Sequence, residues 1–521
     1  MISEPRTRIT TSPADASDVL DVQRLLVVGQ KNDGTAISGE VYKDFFTNNA
    51  FYGLFGQDSQ VTSMLLAVKD TIYVSPVYPA VYAIGISDAV GTAATGSISF
   101  TNDAESDGVI VFVAGSKKRN TYRLEVTKGD TAIDIATALE AAITASEFSL
   151  VTPLVTVSTV ALTAVNSGTQ GNHISLQYTS TVEGVAIALT EMSGGATNPS
   201  ALVSIQNALI GTRYQTIVIS KDLFDFEGIV SYIEGLFDVT YPILKDGMLL
   251  YGLTGTYMDM LSEVQTRNNK CINCVWERKV TDQLDHIGAV HLEMPAVYAA
   301  MIAAFRALKL TDGSDIRSFL SAPATSSDNY GGMHSATFPY AGTKMPLLEQ
   351  AKVSLLASDQ EILDAETYGA SVFGNDAGSL DVVMGRMVTP HKTDSRGKEN
   401  LSFKYLNNYD QQVTCREYIR YQIKEAFKQS RLTSGDIVTS PGKQFEMINK
   451  IKFKDLLMGV YDYLSSDVPL MVKGLAAKKV FSDSIVITVE LETGTIRFYI
   501  KNPIVGQFRN CYGDIQLAFL K

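Results

Sequence analysis

The C-terminal part of the chain contains a β-hairpin and then a strand that has no partner of its own. In Ile485–Leu491 apolar residues occupy every second position, Thr493-Gly494 supplies a turn, and the same alternation resumes in Ile496–Ile500. Period-2 patterning on both sides of a glycine-containing turn predicts a hairpin. The chain closes on another alternating run, made by Ile515, Leu517 and Phe519.

A terminal strand of this kind exposes backbone N–H and C=O groups that need a partner. Such an edge invites another chain, and main-chain hydrogen bonds then join the two. The simplest interpretation is strand exchange between identical subunits, with Ile515, Leu517 and Phe519 at the subunit interface. The sequence therefore predicts a homo-oligomer that grows by exchanging terminal strands.

Composition limits the class of protein. A chain of 521 residues is too long for one core, and three or four domains are expected. The net charge of −12 argues against nucleic acid as a direct partner, because phosphate-binding surfaces usually carry a basic excess. The charged fraction of 19% is low, as expected where much surface is buried between subunits.

No segment is predicted to enter a membrane. The longest apolar run, Met294–Phe305, stops at Arg306 and covers about half a bilayer. Residues 1–28 are polar and contain several acidic side chains, unlike a signal peptide. The chain is therefore expected to be made and folded in a cytoplasm.

Shifts in pattern along the chain predict six segments. An extended N-terminal arm precedes an α/β core, a β-rich insertion interrupts that core, and a C-terminal α+β domain follows. The predicted bounds are 1–24 for the N-terminal arm, 25–93 for the first part of the core, 94–199 for the inserted β-rich outer domain, 200–380 for the second part of the core, 381–505 for the C-terminal inner domain and 506–521 for the C-terminal arm strand.

The insertion shows period-2 strands around one helix. Thr131 and Asp134 form a capping-box-like start, and apolar residues recur at helical spacing after it. Residues 151–200 contain only Glu183 and Glu191 as charges, which suits a self-contained domain that faces outward or towards a neighbour. The predicted strands are Ser97–Asn102, Val109–Ala114, Thr121–Thr127, Val155–Val165, Ile174–Thr181 and Val185–Glu191.

The core segments alternate strands with helices. Such alternation predicts an α/β fold with a mainly parallel sheet whose two faces are covered by helices. Val297–Leu308 is apolar nearly all round and should form a buried helix, whereas Gly252–Gly255 should form a turn after a strand. The other predicted elements are the strands Leu25–Gln30, Thr216–Ser220, Met248–Leu253 and Asn273–Trp276 and the helices Phe224–Phe237 and Met258–Arg267.

The sequence shows no catalytic or cofactor motif. It has no G-x-S-x-G elbow, no subtilisin-type serine segment, no Walker A loop and no H-E-x-x-H pattern. His286, His291 and Glu293 lie near Asp282 and Asp285, and such side chains can bind a metal or transfer protons. The separation of the two histidines suits neither one helix face nor one strand face. Ordinary hydrogen-bonded histidines are the simpler interpretation, so no enzymatic activity, metal or cofactor is expected.

The cysteines are predicted to be reduced thiols. Cys271 and Cys274 form a lone C-x-x-C, and a structural zinc site would need a second pair at a suitable spacing. On a strand, their separation places the two thiols on opposite faces. Core packing is therefore preferred to metal or redox chemistry, and Cys511 is a candidate for an intersubunit disulfide near the terminal strand.

Several short segments follow one another in a characteristic order from the insertion to the C-terminus. They are Val126–Ala132, Asn166–Asn172, Gly194–Pro199, Tyr214–Ile219, Pro503–Asn510 and Ile515–Phe519. Each is common by itself, but their order and spacing extend over roughly four hundred residues. In this order they resemble the corresponding segments of contractile phage tail sheath proteins of the Mu-like type.

The resemblance implies a structural role. Sheath proteins of this type have a core that is subtilisin-like in fold, without a catalytic site, and they polymerise as stacked rings around a tail tube. The chain would then belong to a virion tail, assembled in the host bacterial cytoplasm, that contracts to drive the tube through the host envelope. The implied partners are further copies of the chain, the tail tube protein and the baseplate and tail terminator proteins, with no direct nucleic acid contact and no membrane insertion.

A long basic helix is predicted before the hairpin, at Gln411–Leu432. Its cations recur every four residues at Arg416, Arg420, Lys424 and Lys428. Because each step of four advances the face by about 40°, these cations form a slanting stripe. The stripe is either a solvated face paired in part with neighbouring glutamates or, in a sheath, a contact with the tail tube. A second helix is predicted at Lys443–Leu464, with Ile451 on its packed side.

Other functions fit parts of the pattern. A sheath of a phage-derived contractile injection system would show the same features. An α/β hydrolase would need a nucleophile arrangement that the sequence does not show. A surface-binding adhesin would use residues 94–199 as its binding module.

Overall fold

The computed structural model of the chain is a mixed α/β structure. The described residues up to Tyr409 form one compact unit, and those from Asp410 onward form a second. The coarse prediction of a multidomain α/β protein is therefore confirmed. The structure describes residues 23–43, 46–73, 79–237, 245–312, 340–376, 381–427, 431–432, 447–467, 470–492 and 495–505.

The first unit contains strands and helices in close alternation. Its strands are β1 (Arg24–Lys31), β2 (Val41–Tyr42), β3 (Ala80–Ser87), β4 (Ala93–Thr101), β5 (Gly108–Ala114), β6 (Thr121–Val126), β7 (Val151–Thr156), β8 (Thr159–Ser167), β9 (Leu176–Ser180), β10 (Ala186–Ser193), β11 (Thr216–Ile219), β12 (Met248–Gly255), β13 (Ile272–Val280), β14 (His286–Ala289), β15 (Lys344–Glu349), β16 (Ala370–Asn375) and β17 (Asp381–Met384). Its helices are α1 (Asn48–Phe55), α2 (Gln60–Ile72), α3 (Ala132–Thr144), α4 (Leu202–Gly211), α5 (Phe226–Gly235), α6 (Tyr257–Val264), α7 (Pro295–Asp312) and α8 (Asp359–Tyr368), with 3-10 turns at Thr169–His173 and Val353–Leu355.

A parallel sheet forms the centre of this unit. Its strands lie in the order β3-β1-β11-β12-β13-β16, and each neighbouring pair is parallel. Short β2 pairs antiparallel with β3, and β17 pairs antiparallel with β16. All residues of β11 and β12 are buried. Burial on both faces is what a parallel sheet covered by helices requires, so the predicted parallel sheet is confirmed.

Helices α2 and α7 pack against each other and over strands β1, β11 and β12. Helix α7 is buried from Ala296 to Leu310, which confirms the predicted buried helix. The helix does not stop where the apolar run stops, however, because it continues through Arg306 and Lys309. Arg306 is only 1% exposed, and its guanidinium donates hydrogen bonds to the Gln215 carbonyl at 2.7 Å and to the Thr216 hydroxyl at 2.6 Å.

The small-residue segment Gly252–Gly255 is part of strand β12 and not a turn, so that prediction is wrong. A Cβ atom at Gly252 would lie 2.0 Å from the Pro295 carbonyl oxygen, at the start of helix α7. The glycine therefore allows a strand and a helix to approach more closely than any side chain permits. A sequence pattern read one segment at a time cannot distinguish this close approach from a turn.

Most of the strands predicted in the insertion, and its one predicted helix, are present. Helix α3 begins at a full capping box, because the Thr131 side chain accepts from the Asp134 N–H and the Asp134 carboxylate accepts from the Thr131 N–H. Strands β10, β4, β8 and β7 form one antiparallel sheet in that order. Strands β6, β5 and β9 form another, and β9 pairs with β14 of the core. The insertion is thus continuous with the core sheet.

The predicted strand Val155–Val165 is two strands, β7 and β8, joined by a tight turn at Val157 and Ser158. Val157 has a φ of 57°, in the left-handed region that β-branched residues rarely adopt. Its side chain is 68% exposed, so no packing contact holds it there. The turn was missed because it contains none of the Gly, Asn or Asp residues that normally mark a hairpin.

Replacement Val157→Asn should stabilise the protein, because asparagine tolerates the left-handed conformation better than valine. We expect the free energy of unfolding to rise by about 0.5–1 kcal/mol in denaturant titrations. Thr156→Asn, at the neighbouring exposed position with an extended backbone, is the control and should be neutral or slightly destabilising. A Val157→Asn protein no more stable than the wild type would show that the turn stores no strain.

The second unit contains strands β18 (Arg431–Leu432), β19 (Met447–Ile448), β20 (Val486–Glu490) and β21 (Thr495–Tyr499) and helices α10 (Lys450–Ser466) and α11 (Leu475–Ser484), preceded by helix α9 (Leu406–Phe427). Two predicted helices have wrong bounds. The basic helix begins earlier and ends before Arg431, and residues Met447–Ile448 of the second predicted helix pair as a strand with Arg431–Leu432. Ile451 is 58% exposed, whereas α10 buries Phe453, Leu457, Val460, Tyr461 and Leu464.

None of the described helices combines the length and apolarity needed to cross a bilayer.

Candidate functional site: subunit-contact surfaces

The terminal hairpin forms as predicted. Strands β20 and β21 pair antiparallel, with Val486 opposite Tyr499 and Glu490 opposite Thr495. Among the described strands, neither pairs with any other, so the hairpin presents two open edges. Its large apolar side chains remain accessible, since Val486 is 60% and Tyr499 is 58% exposed. The predicted turn at Thr493-Gly494 lies outside the described residues.

The chain returns to its own unit after the hairpin. The Val472 N–H donates to the Pro503 carbonyl at 2.7 Å, and the Val505 N–H donates to the Leu470 carbonyl at 3.1 Å. Met471 and Ile504 form an isolated antiparallel bridge between these two bonds. The segment that ends at Val505 is therefore anchored locally. The predicted interface residues Ile515, Leu517 and Phe519, and the candidate cysteine Cys511, lie outside the described residues.

Three of the four cations of the predicted basic stripe lie in the described part of the chain. Arg416, Arg420 and Lys424 all lie on helix α9 and are half-buried, while Lys428 lies outside the described residues. Both arginines have interaction partners within the chain. Helix α9 packs on α10 through stacked rings, with Tyr418 and Tyr463 at 4.9 Å between centroids and Phe427 and Phe453 at 5.8 Å. The stripe is thus held on a packed helix, and its role as a tube contact stays a prediction.

The histidines and acids near residue 286 do not converge on one site. The His286 Nε2 lies 2.9 Å from the Ala289 carbonyl, whereas the His291 Nδ1 lies 3.0 Å from the Glu277 carboxylate. Glu277, on strand β13, was not singled out from the sequence, although a glutamate directly after the predicted strand Asn273–Trp276 was the available signal. Among the described residues, no three His, Cys, Asp or Glu side chains are arranged to hold a metal ion.

Cys271 and Cys274 are both buried in the core, at strand β13. Burial raises the pKa of the Cys274 thiol to about 12, so this group stays protonated and poorly nucleophilic near neutral pH. The placement agrees with the prediction of core packing.

Consecutive cations of the insertion bind acids of the core. Lys117 pairs with Glu349, and the Lys118 and Arg119 side chains approach the Asp70 carboxylate at 3.5 and 2.8 Å. Asp70 lies on helix α2, so this loop, which follows β5, is fixed to the face of the core that α2 covers. This contact could not be found from the sequence, because its acids lie far from residue 117 along the chain.

A buried acid lies beside the same loop. Glu293, just before helix α7, is 4% exposed and accepts a hydrogen bond from the Met294 N–H at 3.2 Å. Burial raises the pKa of Glu293 to about 7, although the nearby Arg119 charge opposes the shift. A buried carboxyl group that holds its proton avoids the cost of an uncompensated charge. From the sequence, Glu293 was considered as part of a metal or acid–base cluster and set aside, and the structure places it at the junction of insertion and core.

Replacement Glu293→Gln should remove a pH-dependent loss of stability. The pKa of Glu293 in the folded state lies above that of an unfolded glutamate. Between about pH 4.5 and 7 the folded chain therefore binds more protons than the unfolded chain. The free energy of unfolding consequently falls as pH rises through this window. Glutamine stays neutral, so the variant should gain about 2–3 kcal/mol over the wild type at pH 8 and much less at pH 4.5 in denaturant titrations. The control is Glu125→Gln at an exposed position of β6. Parallel pH profiles for wild type and Glu293→Gln would contradict the assignment.

A second anchor lies at the other end of the insertion. The Asp222 carboxylate, which follows strand β11, accepts a hydrogen bond from the Thr169 hydroxyl at 3.0 Å and lies 3.2 Å from the His173 Nε2. Burial raises the pKa of Asp222, but the His173 charge and the hydrogen bonds from Thr169 and Ser220 together lower the pKa below its ordinary value. These two anchors, together with the pairing of β9 with β14, join the insertion to the core.

No protein-family model matches the chain. The Mu-like prophage FluMu tail sheath protein of Haemophilus influenzae is 23% identical over 449 residues, which cover 84% of this chain and 80% of that protein. A sheath tail protein of Listeria innocua aligns with a TM-score of 0.43 at 12% identity, over 94% of this chain and 93% of that one. The helical sheath of the anti-feeding prophage in its contracted state aligns with a TM-score of 0.41 at 9% identity, over 99% of both chains.

Proposed function

We propose that the chain, a homologue of the Mu-like prophage FluMu tail sheath protein, is the structural subunit of a contractile tail sheath. The resemblance to Mu-like tail sheath proteins predicted from the sequence is confirmed by this relative. In this role copies of the chain polymerise around a tail tube, and contraction of the polymer drives the tube through the host envelope.

The observation that most supports polymerisation is the open terminal hairpin. A two-stranded sheet in water is marginal by itself, and a third strand adds a ladder of hydrogen bonds and covers apolar side chains. Among the strands that the structure describes, β20 and β21 pair only with each other and so have such open edges, and Val486, Phe498 and Tyr499 are exposed on them. A strand from a neighbouring copy, formed by the segment with Ile515, Leu517 and Phe519, is the partner proposed for this edge.

The parallel core supports the finer assignment of a subtilisin-like fold without its chemistry. In the strand order β2-β3-β1-β11-β12-β13-β16, the first strand of the chain, β1, lies inside the sheet, and later strands are added on both sides of it. This arrangement is typical of an open α/β sheet. Ser220 donates to the Asp222 carboxylate at 3.1 Å, and Asp222 lies between Ser220 and His173, so this serine is not activated by the histidine. The core is therefore assigned a scaffolding role.

The partners proposed for the assembly are further copies of the chain, the tail tube protein, and the baseplate and tail terminator proteins at its ends. The tube contact is assigned to the stripe on helix α9, with Arg416, Arg420 and Lys424, and to Lys428 beyond it. Modest charge pairing would let the sheath slide along the tube during contraction. The assembled particle would be a virion tail built in the host cytoplasm.

Negative-stain microscopy of the purified chain tests this function. At high concentration the full chain should form long hollow tubes. A chain that stays monomeric and binds glycans through residues 94–199, or one in which a serine-reactive probe labels one residue stoichiometrically, would replace the sheath by an adhesin or a hydrolase.

The charge reversal Arg420→Glu with Lys424→Glu should weaken binding to the tail tube. Because two positive charges become negative, co-sedimentation with purified tubes is expected to fall about tenfold at low salt. The effect should be smaller at high salt, where charges are screened. Lys473→Glu with Lys479→Glu makes the same charge change at exposed positions of the second unit and is the control. Equal co-sedimentation of both variants would assign the stripe to a solvated face.

A further inference from the structure

The carboxyl edge of the core sheet is the place where open α/β sheets normally bind a ligand. Strand β1 lies between β3 and β11, and the three run parallel, so their carboxyl ends meet at one edge. From β3 the chain passes over β1 to β11, and such a switch in direction leaves a crevice between the loops that follow the strands. Asp88 follows β3 directly and Asp222 comes soon after β11, so a carboxylate stands on each side of the crevice.

Residues 166–173 of the insertion cross this crevice and are called the strap. At the β3 side, the Asp88 carboxylate accepts hydrogen bonds from the Asn166 Nδ2 at 2.9 Å and from the Ser167 N–H at 2.8 Å. At the end of β1, the Gln30 Nε2 donates to the Ser167 carbonyl at 2.9 Å. The first two residues of the strap are therefore held at the ends of two neighbouring core strands.

The other end of the strap is held beside Asp222. As described above, its carboxylate accepts from the Thr169 hydroxyl at 3.0 Å and lies 3.2 Å from the His173 Nε2. The Thr169 N–H donates to the Asn198 Oδ1 at 2.8 Å. Between the two ends Gly168 has a φ of 97°, in the left-handed region that favours glycine, and it bends the strap across the crevice.

The core contacts the strap as a binding site contacts a peptide. The strap consists of Asn, Ser, Gly, Thr, Gln and His residues, and His173 is its one ionisable side chain. The core offers the two carboxylates, the Gln30 amide and the Gln60 N–H, which donates to the Asn166 Oδ1 at 3.0 Å. Asn166 and Gln30 are only 5% and 2% exposed. Donors and acceptors of the strap thus match those of the core in a place closed to water.

We infer that this edge of the core is a binding site for an extended peptide rich in amide and hydroxyl side chains, and that the strap of the same chain fills it. A carboxylate in a closed crevice needs hydrogen-bond donors, because a buried charge without them is costly. Among the described residues, the strap supplies two of the three donors that reach Asp88. An empty crevice would leave both carboxylates short of donors, so an occupant of this chemistry is required.

The filled site closes the core to other ligands. A small molecule that entered the crevice would have to displace the strap and replace its hydrogen bonds to both carboxylates. The strap is short and held mainly by polar contacts, so it should open by local unfolding while the sheet below it stays folded. All of these contacts lie within one chain. The inference therefore holds or fails whatever the outcome for the sheath function.

Hydrogen exchange and peptide binding test the inference on the full chain, at a concentration too low for polymer to form. The double variant Asn166→Ala with Thr169→Val removes one contact of the strap with each carboxylate and leaves the core unchanged. Backbone amides of residues 167–173 should exchange about tenfold faster than in the wild type, while those of β12 keep their protection. A fluorescent peptide with the sequence of residues 164–175 should bind the variant and not the wild type.

Matched controls separate recognition of the strap from a general loosening of the fold. The peptide that carries the same two substitutions should bind the variant about tenfold more weakly than the native peptide. Thr163→Val, at an exposed position of β8 just before the strap, should exchange and bind like the wild type. Asn166→Ala alone should show a smaller change of the same kind, and it serves if the double variant does not fold.

Four results would overturn the inference. Unchanged exchange in residues 167–173 would show that the two side chains do not hold the strap. Equal loss of protection in β12 would show that the strap does not open separately from the sheet. Equal affinity of the two peptides for the variant, or no binding of either, would show that the crevice does not recognise the sequence of the strap.

Discussion

A chain that ends after Gln507 should stay soluble and folded but should form no tubes. Among the described residues, Pro503 and Val505 hold the C-terminal segment to its own unit by hydrogen bonds with Val472 and Leu470, and the truncation leaves these bonds intact. What it removes is the alternating segment proposed to pair with a neighbour. Each lost backbone hydrogen bond is worth about 0.5–1.5 kcal/mol, and each lost large apolar side chain about 1.5–3 kcal/mol.

The sum of these losses decides whether a polymer holds together, so loss of tubes should be complete in negative-stain micrographs. Leu517→Pro should act almost as strongly in the full chain, because proline removes a ladder donor and distorts the strand. Leu517→Val keeps the strand and its apolar character and should still assemble. If the truncated chain unfolds or aggregates, the terminal strand belongs to its own subunit and the exchange model is wrong.

Replacement Gly252→Ala should destabilise the first unit strongly. The new methyl group would lie 2.0 Å from the Pro295 carbonyl oxygen and 2.7 Å from the Tyr298 ring, both on buried helix α7. Backbone atoms cannot rotate away as a flexible side chain does, so strand β12 or helix α7 must shift. We expect the free energy of unfolding to fall by about 2–4 kcal/mol in denaturant titrations.

Gly374→Ala is the matched control for this prediction. Gly374 lies in strand β16, and an added Cβ atom there meets nothing within 4 Å. The same substitution should therefore be neutral or slightly stabilising, because alanine reduces the freedom of the unfolded chain. Equal losses of stability in both variants would show that the effect comes from the strand glycine itself and not from the approach of α7.

Local pattern was sufficient for most of the secondary structure. Strands such as β11 and β13 and the capped helix α3 follow from hydrophobic period and end signals that span only a few residues. The terminal hairpin was predicted for the same reason, since alternation and a turn signal occur side by side in it. Errors occurred where the local signal was absent, as at Val157, where a valine adopts the turn conformation without a turn residue.

The candidate contact surfaces also differ in whether the sequence alone could reveal them. The hairpin edge and the cations of helix α9 could be named from the sequence, because both are repeats within one segment. The anchors of the insertion could not, since Arg119 meets Asp70 and Thr169 meets Asp222 across long stretches of chain. The antiparallel sheet β10-β4-β8-β7 of the insertion likewise depends on the registers of four strands, which no single segment specifies.

The sequence by itself determined the alternation of strands and helices, the individual strands and the helix within residues 94–199, and the terminal hairpin, because each is encoded by neighbours a few residues apart. Only the tertiary structure decided where a charged side chain can be buried within an apolar helix. Helix α7 buries Arg306 because the Gln215 carbonyl and the Thr216 hydroxyl accept its hydrogen bonds, and it buries Lys309 over the Tyr340 ring at 3.9 Å. A buried cation is stable only where distant partners replace water, and those partners are brought together by the fold alone.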